Sequence, residues 1–469
     1  MGRIALDAFN TLALSYFVVL NVIYLITSIV AFRALQLYAR RLKALDIEEL
    51  MTSAGAPPIT LIAPAYNEEA TCVEATKSLL LLKYPQYEIL VVNDGSSDQT
   101  LVRLTDAFQL VPADRAQTAN IPAASVRGVY HSQQIPNLWV IDKENGGKAD
   151  ALNVGINYCR TPLFCAMDAD SLLEREALIR IVRPFLEDAR TVAAGGIIRI
   201  ANGCTVKEGL VSKIRLPQNI LARYQVLEYL RAFMSGRMGW DALGLTLIIS
   251  GAFGVFRRST VVDAGGYRTD TVGEDMELVV RLHRHCRENK IPYRISYVAD
   301  PVAWTECPEK IRVLGRQRDR WQRGLYETLT RHWKMLANPR YGRIGLIAFP
   351  YFFFLEMLGP VIELFGYLMF ITALAIGRAS GPYIIAFFMA AFVFGVVLSV
   401  TAVALEELSF HRYPRVSDLL KLFLLAILEN FGYRQLTSYW RIRGFFSGLR
   451  RVKGWGKMER KGFDVEAAT

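Results

Sequence analysis

Two stretches, Ile59-Thr-Leu-Ile-Ala-Pro-Ala-Tyr-Asn-Glu68 and Tyr87-Glu-Ile-Leu-Val-Val-Asn-Asp-Gly-Ser-Ser-Asp98, repeat one pattern: a short apolar run that stops abruptly in small and polar residues. The runs are short and rich in residues that fit a pleated sheet. After Asn67 and again after Ser97 the spacing turns amphipathic and helical, and Leu138-Trp-Val-Ile141 and Leu163-Phe-Cys-Ala-Met167 continue the series. Strands that alternate with helices are joined by crossovers, so an α/β domain with a mostly parallel, Rossmann-like sheet is predicted over residues 55–335. Between Pro112 and Pro136 lies a polar stretch punctuated by Ala, Gln and Pro, expected to be a surface insertion.

Outside this core the composition changes. Residues 12–30 carry no charge and are just long enough, as a helix, to cross a bilayer. The run leads into Phe32 and Arg33 with no small-residue exit, which favours a retained anchor (1–35) over a cleaved signal. Arg33, Arg40, Arg41 and Lys43 then assign the following domain to the cytoplasm. Residues 341–432 hold three more apolar blocks, 344–376, 383–405 and 416–431, and the tail 433–469 is basic. The long first block, with Pro350, Pro360, Glu356 and Glu363 inside it, reads as a hairpin or as a span plus an interfacial helix, and a cytoplasmic tail, which needs an even number of crossings after the domain, favours the hairpin. Carboxylates at such depth are costly in lipid and should face protein or a channel.

The 469 residues are 52% hydrophobic with a formal net charge of +11. The Lys and Arg residues gather beside apolar runs and near the C-terminus, as in membrane flanks, which argues against nucleic acid as a partner. Six cysteines without C-x-x-C pairing indicate neither a zinc site nor a disulfide framework and fit a reducing compartment.

An open α/β sheet binds its ligand at the carboxyl ends of its strands, and polar residues stand at nearly every strand end here. Asp168 and Asp170 flank one small residue directly after an apolar strand. As a bare D-x-D they could cap a helix, but two adjacent carboxylates also suit a hard cation such as Mg2+ or Mn2+. Lys143-Glu-Asn-Gly-Gly-Lys-Ala-Asp-Ala-Leu-Asn153 opens a helix with two glycines and with Lys148 in its first turn. A cation at a helix N-terminus is disfavoured unless it meets an anion, so phosphate contact is expected. Asp275 in Gly273-Glu-Asp-Met-Glu277 reads either as a helix-start acid or as a general base for a hydroxyl. Arg316-Gln-Arg-Asp-Arg-Trp-Gln-Arg323 crowds four arginines and one tryptophan into two helical turns, suited to a diphosphate clamp and a sugar platform, or to a juxtamembrane basic helix.

In this order the segments resemble the processive membrane glycosyltransferases of glycosyltransferase family 2, which include cellulose, chitin, hyaluronan and poly-N-acetylglucosamine synthases. The most specific element is Gln317-Arg318-Asp319-Arg320-Trp321, similar to the family's Q-x-x-R-W signature, with Asp168/Asp170 as its D-x-D and Gly273-Glu274-Asp275 in place of its T-E-D or G-D-D. The resemblance implies a glycosyltransferase A-type fold with a helical transmembrane region. Pro64, Tyr66, Glu68, Asp94, Lys148 and Asp168 would bind the nucleotide, and Asp170 would ligate Mg2+ or Mn2+. Asp275, with Glu274 beside it, would supply the catalytic carboxylate. Gln317, Arg318, Arg320 and Trp321 would serve the diphosphate and acceptor.

The function implied is inverting transfer from a UDP-sugar, UDP-N-acetylglucosamine ahead of UDP-glucose, to a growing β-linked glycan exported across the bacterial inner membrane. Accessory export subunits are a further class of partner. The central carboxylate motif reads G-E-D, and only a short tail follows residue 431, where bacterial cellulose synthases carry a cyclic-di-GMP domain. A non-processive enzyme adding one sugar to a lipid acceptor needs the same donor site and is the nearest rival. A catalytically silent transport or assembly subunit is a rival from another class.

Overall fold

The computed structural model describes residues 2–43, 55–168, 171–207, 209–413 and 415–450. Contacts among the described residues divide the chain into two compact units: one within 40–217 and 246–307, the other from 2–39, 218–245 and 308–450. Within the range 55–335, residues 218–245 and 308–335 are mainly helical and group with the later helices.

In the first unit the strands are β1 (Ile59–Ala65), β2 (Tyr87–Asp94), β3 (Leu110–Pro112), β4 (Val126–Ser132), β5 (Leu138–Lys143), β6 (Leu163–Met167), β7 (Leu172–Leu173), β8 (Thr191–Ile200), β9 (Thr205–Lys207), β10 (Leu210–Lys213), β11 (Phe253–Arg257) and β12 (Arg294–Thr305). Ten of them form one sheet in the order β3-β4-β5-β2-β1-β6-β11-β8-β12-β7, and β9 and β10 form a separate ribbon. The central run β5-β2-β1-β6 is parallel, as the alternation predicts. The flanks are antiparallel at β3, β4, β7 and β11, while β12 runs parallel to β8.

Register is what places the site. Ala65 lies opposite Asn93, Asn93 opposite Asp142, and Asp94 opposite Lys143, so three strands end level with one another. Their side chains pack on both faces, with Ile62, Leu90, Val92, Ile141, Phe164 and Ala166 buried on one and Leu61, Ile89, Val91 and Val140 on the other. The helix Lys148–Tyr158 is buried along almost its whole length. Its Gly155 lies so close to β1 that an added Cβ would come within 2.3 Å of Ile62 Cγ2, which explains a glycine in a helix interior.

The expected surface insertion after Pro112 is corrected. It carries β4, antiparallel to β5, and buries Ile121 and Arg115. Arg115 donates to the Glu88 carboxylate at 2.8 Å and to the Tyr158 carbonyl at 2.8 Å. The polar composition hides a strand next to the sheet's edge, whose side chains are mostly half-buried and need not be apolar.

The second unit is helical. Two of its helices are long and apolar enough to cross a membrane, Asn10–Arg40 and Gly381–Ser409; a bent pair, Ile344–Met357 and Gly359–Ala375, makes a third if it is one span. That pair meets at 45°, short of the reversal that a hairpin requires. Pro360 sits in the first turn after the break, where its missing N–H costs nothing. Val416–Leu428 has 13 residues, about 20 Å of helix at 1.5 Å per residue, too short to span the hydrocarbon core.

These helices interlock through Tyr16, Phe17, Leu20, Tyr351, Phe387, Ala390 and Ala391, mostly aromatic or small residues. Asn21 Nδ2 donates to the Ala390 carbonyl at 2.8 Å. Both acids of the bent pair face protein. Glu356 accepts from the hydroxyls of Tyr24 and Tyr351, each at 2.8 Å, and pairs with Arg441 at 3.1 Å. Glu363 accepts from Ser438 Oγ at 2.8 Å.

Candidate active site

At the level edge of β1, β2 and β5 the connecting loops are tied to one another. Asn67 adopts positive φ, its amide donates to Ser96 Oγ at 3.0 Å, and its side-chain oxygen accepts from the Ser97 amide at 2.8 Å. Glu68 and Glu69 extend the tie, since their amides donate to Thr100 Oγ1 and to Asp98. Tyr66 projects from this latch with half its surface exposed, beside the half-buried Pro64.

Asp94 is buried at the end of β2. Its carboxylate accepts from Lys143 Nζ at 2.5 Å, from the Gly146 amide at 3.0 Å and from the Gly147 amide at 2.8 Å. The Gly147 amide marks the start of the helix Lys148–Tyr158, so Asp94 sets where that helix begins.

Lys148 reaches across the edge to Asp168, which follows β6, and its ammonium and the Oδ1 of Asp168 form an ion pair. Glu274 lies 3.6 Å from the same ammonium, and the carbonyl of Gly251 accepts from it at 3.3 Å. Burial alone would depress this ammonium, but the carboxylates of Asp168, Glu274 and Asp275 outweigh it and hold Lys148 above its ordinary value. Asp170 lies outside the described residues.

Glu274 and Asp275 open the helix Glu274–Glu288, where the exposed amide dipoles favour negative charge. Glu274 is buried and Asp275 half-buried. Asp275 Oδ2 accepts from the Gly251 amide at 3.0 Å, and Oδ1 accepts from the Met276 amide at 2.8 Å. A Cβ at Gly251 would lie 2.9 Å from Lys148 Nζ and 3.4 Å from Asp275 Oδ2. The bare backbone at this position lets one residue touch both groups.

The segment leading into this helix is pinned from two sides. Asn153 exchanges two hydrogen bonds with the backbone of Tyr267, at 2.8 and 2.6 Å. Arg281 pairs with the buried Glu277 at 3.0 Å and donates to the carbonyls of Ala264 and Gly266. Gly251, Asn153 and the Arg281–Glu277 clamp carry no role in the sequence reading. Only the i, i+4 spacing of Glu277 and Arg281 signals a pair there.

The edge can bind an anion and a cation together. Counted formally, one ammonium (Lys148) faces three carboxylates (Asp168, Glu274, Asp275), a surplus of two negative charges that a divalent ion would balance. The donors are hard oxygens, which suit Mg2+ or Mn2+. Among the described residues no group of three or more His, Cys, Asp or Glu is arranged to hold a metal alone. A cation here would therefore complete its shell from substrate phosphates and water, as Mg2+ commonly does.

Gln317, Arg318, Arg320 and Trp321 belong to the helical unit, on the helix Ile311–Arg331. Gln317 and Arg318 are buried there, and Arg318 is only 4% exposed. Its guanidinium pairs with Glu228 at 2.5 Å, and Tyr433 donates to the same carboxylate at 2.7 Å. It also lies over the Trp321 ring at 4.2 Å. Trp321 remains 45% exposed, so the arginine steadies an indole that presents its other surface outward. The spacing of Gln317, Arg318 and Trp321 was legible in the sequence; the commitment of Arg318 to Glu228 was not.

Comparison with known proteins agrees with this architecture. The model of Glycosyl transferase family 2 matches residues 60–260, and that of Glycosyl transferase family group 2 matches residues 163–398, half of the chain. Poly-beta-1,6-N-acetyl-D-glucosamine synthase of Staphylococcus aureus (strain COL) is 29% identical over 274 residues, 58% of this chain and 56% of that protein. The synthase of the same name from Staphylococcus epidermidis is 28% identical over 284 residues, 60% of this chain and 58% of that protein. The chain thus spans little more than half the length of the curated relatives it matches. Among solved structures, a mannosyltransferase from Pyrobaculum calidifontis in complex with GDP-Man and Mn2+ aligns with a TM-score of 0.55 at 18% identity, covering 92% of this chain and 99% of that one. That likeness concerns the fold. With a sheet edge built as described and a family match over half its length, the chain belongs to the family 2 glycosyl transferases.

Proposed function

We propose that this protein transfers a sugar from a UDP-sugar to a growing β-linked polysaccharide with inversion at the anomeric carbon, and that it does so at the bacterial inner membrane with the product passed across it. The observation that carries this reading is the junction at Gly251, whose amide bonds Asp275 while its carbonyl bonds Lys148, itself paired with Asp168. A base and a phosphate-seeking cation are held side by side by one residue.

In this reading Pro64, Tyr66 and Glu68 line the nucleotide pocket, with Asp94 anchoring the loop beneath it. Lys148 and Asp168 meet the nucleotide diphosphate, and charge developing on the departing UDP is met by the Lys148 ammonium. Asp275 accepts the proton of the acceptor hydroxyl as that oxygen attacks the anomeric carbon opposite the leaving UDP, which turns an α-linked donor into a β-linked product. Glu274 keeps the ammonium aimed. Asp170, with the diphosphate oxygens, would hold Mg2+ or Mn2+, an ion that neutralises the charge of the leaving diphosphate. Trp321 offers an indole face to a pyranose ring, with Gln317, Arg318 and Arg320 serving its helix. Similarity to poly-β-1,6-N-acetyl-D-glucosamine synthases puts UDP-N-acetylglucosamine ahead of UDP-glucose as donor.

The test uses the full chain purified in detergent with radiolabelled UDP-N-acetylglucosamine or UDP-glucose, with Mg2+, with Mn2+ or with EDTA, and with Asp275→Asn as control. A high-molecular-weight product that needs metal and Asp275 supports polymer synthesis and names the donor. Label confined to the lipid fraction means single transfer to a lipid acceptor instead. No product from either donor, with folded protein and bound lipid primer supplied, removes the reading.

A further inference from the structure

Lys143 ends β5 with none of its side chain exposed. An ammonium taken out of water is costly unless every donor is paired, and here all three are. Nζ lies 2.5 Å from Asp94 Oδ1, 2.8 Å from Asp150 Oδ1 and 2.5 Å from the Glu144 carbonyl.

Each acceptor leads to the loop that delivers Lys148. Asp94 receives the Gly146 and Gly147 amides, and its own carbonyl receives Asn145 Nδ2 at 2.7 Å. Asp150 lies in the first turn of the helix and packs so tightly under the loop that a Cβ at Gly146 would come within 2.5 Å of its Cγ. It also accepts from the Ala124 amide at 3.1 Å. The loop from Lys143 to Lys148 is thereby wound around one buried ammonium.

A buried ion pair is poor at adding stability compared with apolar packing, and its better-attested use is to select one conformation among several. Lys143 is itself buried, but the loop it organises ends at Lys148, whose ammonium meets Asp168. We propose that Lys143 is a positioning residue for nucleotide binding: by drawing Asp94 and Asp150 together it fixes the backbone of residues 144–147 and so aims Lys148. This inference rests on the nucleotide-sugar reading of the same edge.

The experiment is a double-mutant cycle on the full chain in detergent, with UDP and Mn2+ as the probe and calorimetric titration as the readout. Lys143→Met is expected to weaken UDP binding about tenfold when Lys148 is present, and less than about twofold in a Lys148→Ala background, because the two changes act through one contact. A purely structural role would give the same factor in both backgrounds, and that result overturns the inference. So would unchanged UDP affinity in folded Lys143→Met protein. If Lys143→Met gives no cooperative melt, Asp150→Asn takes its place in the cycle, with the same two outcomes. Failure of the unmutated protein to bind UDP is a separate result: it removes the nucleotide reading, and this inference with it.

Discussion

The amide of Gly251 donates to Asp275 Oδ2 at 3.0 Å, a contact made by residues from a loop before β11 and from the first turn of the helix Glu274–Glu288. It leaves Asp275 with one oxygen bonded across this junction and one bonded to the neighbouring Met276 amide. A base oriented in this way should act in the chemical step more than in donor binding. Asp275→Asn keeps the shape and removes the basicity, so kcat is expected to fall roughly a hundred- to ten-thousand-fold. UDP affinity should change far less than kcat, since the amide side chain still accepts one of the two backbone N–H bonds that Asp275 holds. Initial rates and UDP titration on the same preparation check both halves.

Gly251→Ala tests the other side of the junction. The new methyl would come within 2.9 Å of Lys148 Nζ, the far end of a flexible side chain that can move aside. Stability should therefore change by less than about 1 kcal/mol, while UDP binding weakens several-fold as the ammonium leaves Asp168. A thermal melt that barely shifts beside a weakened UDP titration is the expected pair of results.

His283 gives the fold a pH dependence. It is buried, with Nε2 at 2.7 Å from the Thr246 carbonyl and Nδ1 at 2.8 Å from the Tyr293 hydroxyl. Burial pushes its imidazole down to about 4, against the pull of the Thr246 carbonyl. In the unfolded chain the ring protonates near its ordinary value of about 6.5, so the unfolded state binds the proton first as pH falls. This contribution to stability is full above about pH 6.5 and is lost between there and about pH 4, a change on the order of 3 kcal/mol. Melting temperatures measured from pH 7 to pH 4 should decline, and His283→Leu, though less stable throughout, should decline less steeply.

Glu356 tests the helical unit. With the carboxylate gone, the hydroxyls of Tyr24 and Tyr351 and the guanidinium of Arg441 lose a shared acceptor. Glu356→Ala is expected to destabilise the detergent-solubilised protein by about 1–3 kcal/mol, the cost of leaving buried donors unmet. Glu356→Gln, which keeps one acceptor, should cost less. Differential scanning fluorimetry in one detergent compares the two.

Much of the first unit was legible in the sequence because its signals are local. A strand shows as a β-branched run, its end as small and polar residues such as Asp168, and a helix start as the turns that carry Lys148 and Glu274-Asp275. Burial on both faces makes the central strands nearly all apolar, so their pattern is hard to miss. Strand β4 was missed for the converse reason, since a half-buried strand can be polar.

Tertiary structure alone decided which groups meet. Gly251 and Asp275 are 24 residues apart, Asp94 and Lys143 are 49 apart, and Tyr24 and Glu356 are 332 apart. No periodicity links such positions; register between strands and packing between helices do. The same holds for Arg318, whose motif is plain in the sequence but whose partner Glu228 lies 90 residues away. Local composition therefore settled which elements form and which residues stand at their ends. The long-range hydrogen bonds, satisfied only once the chain is folded, decided which of those residues position the rest.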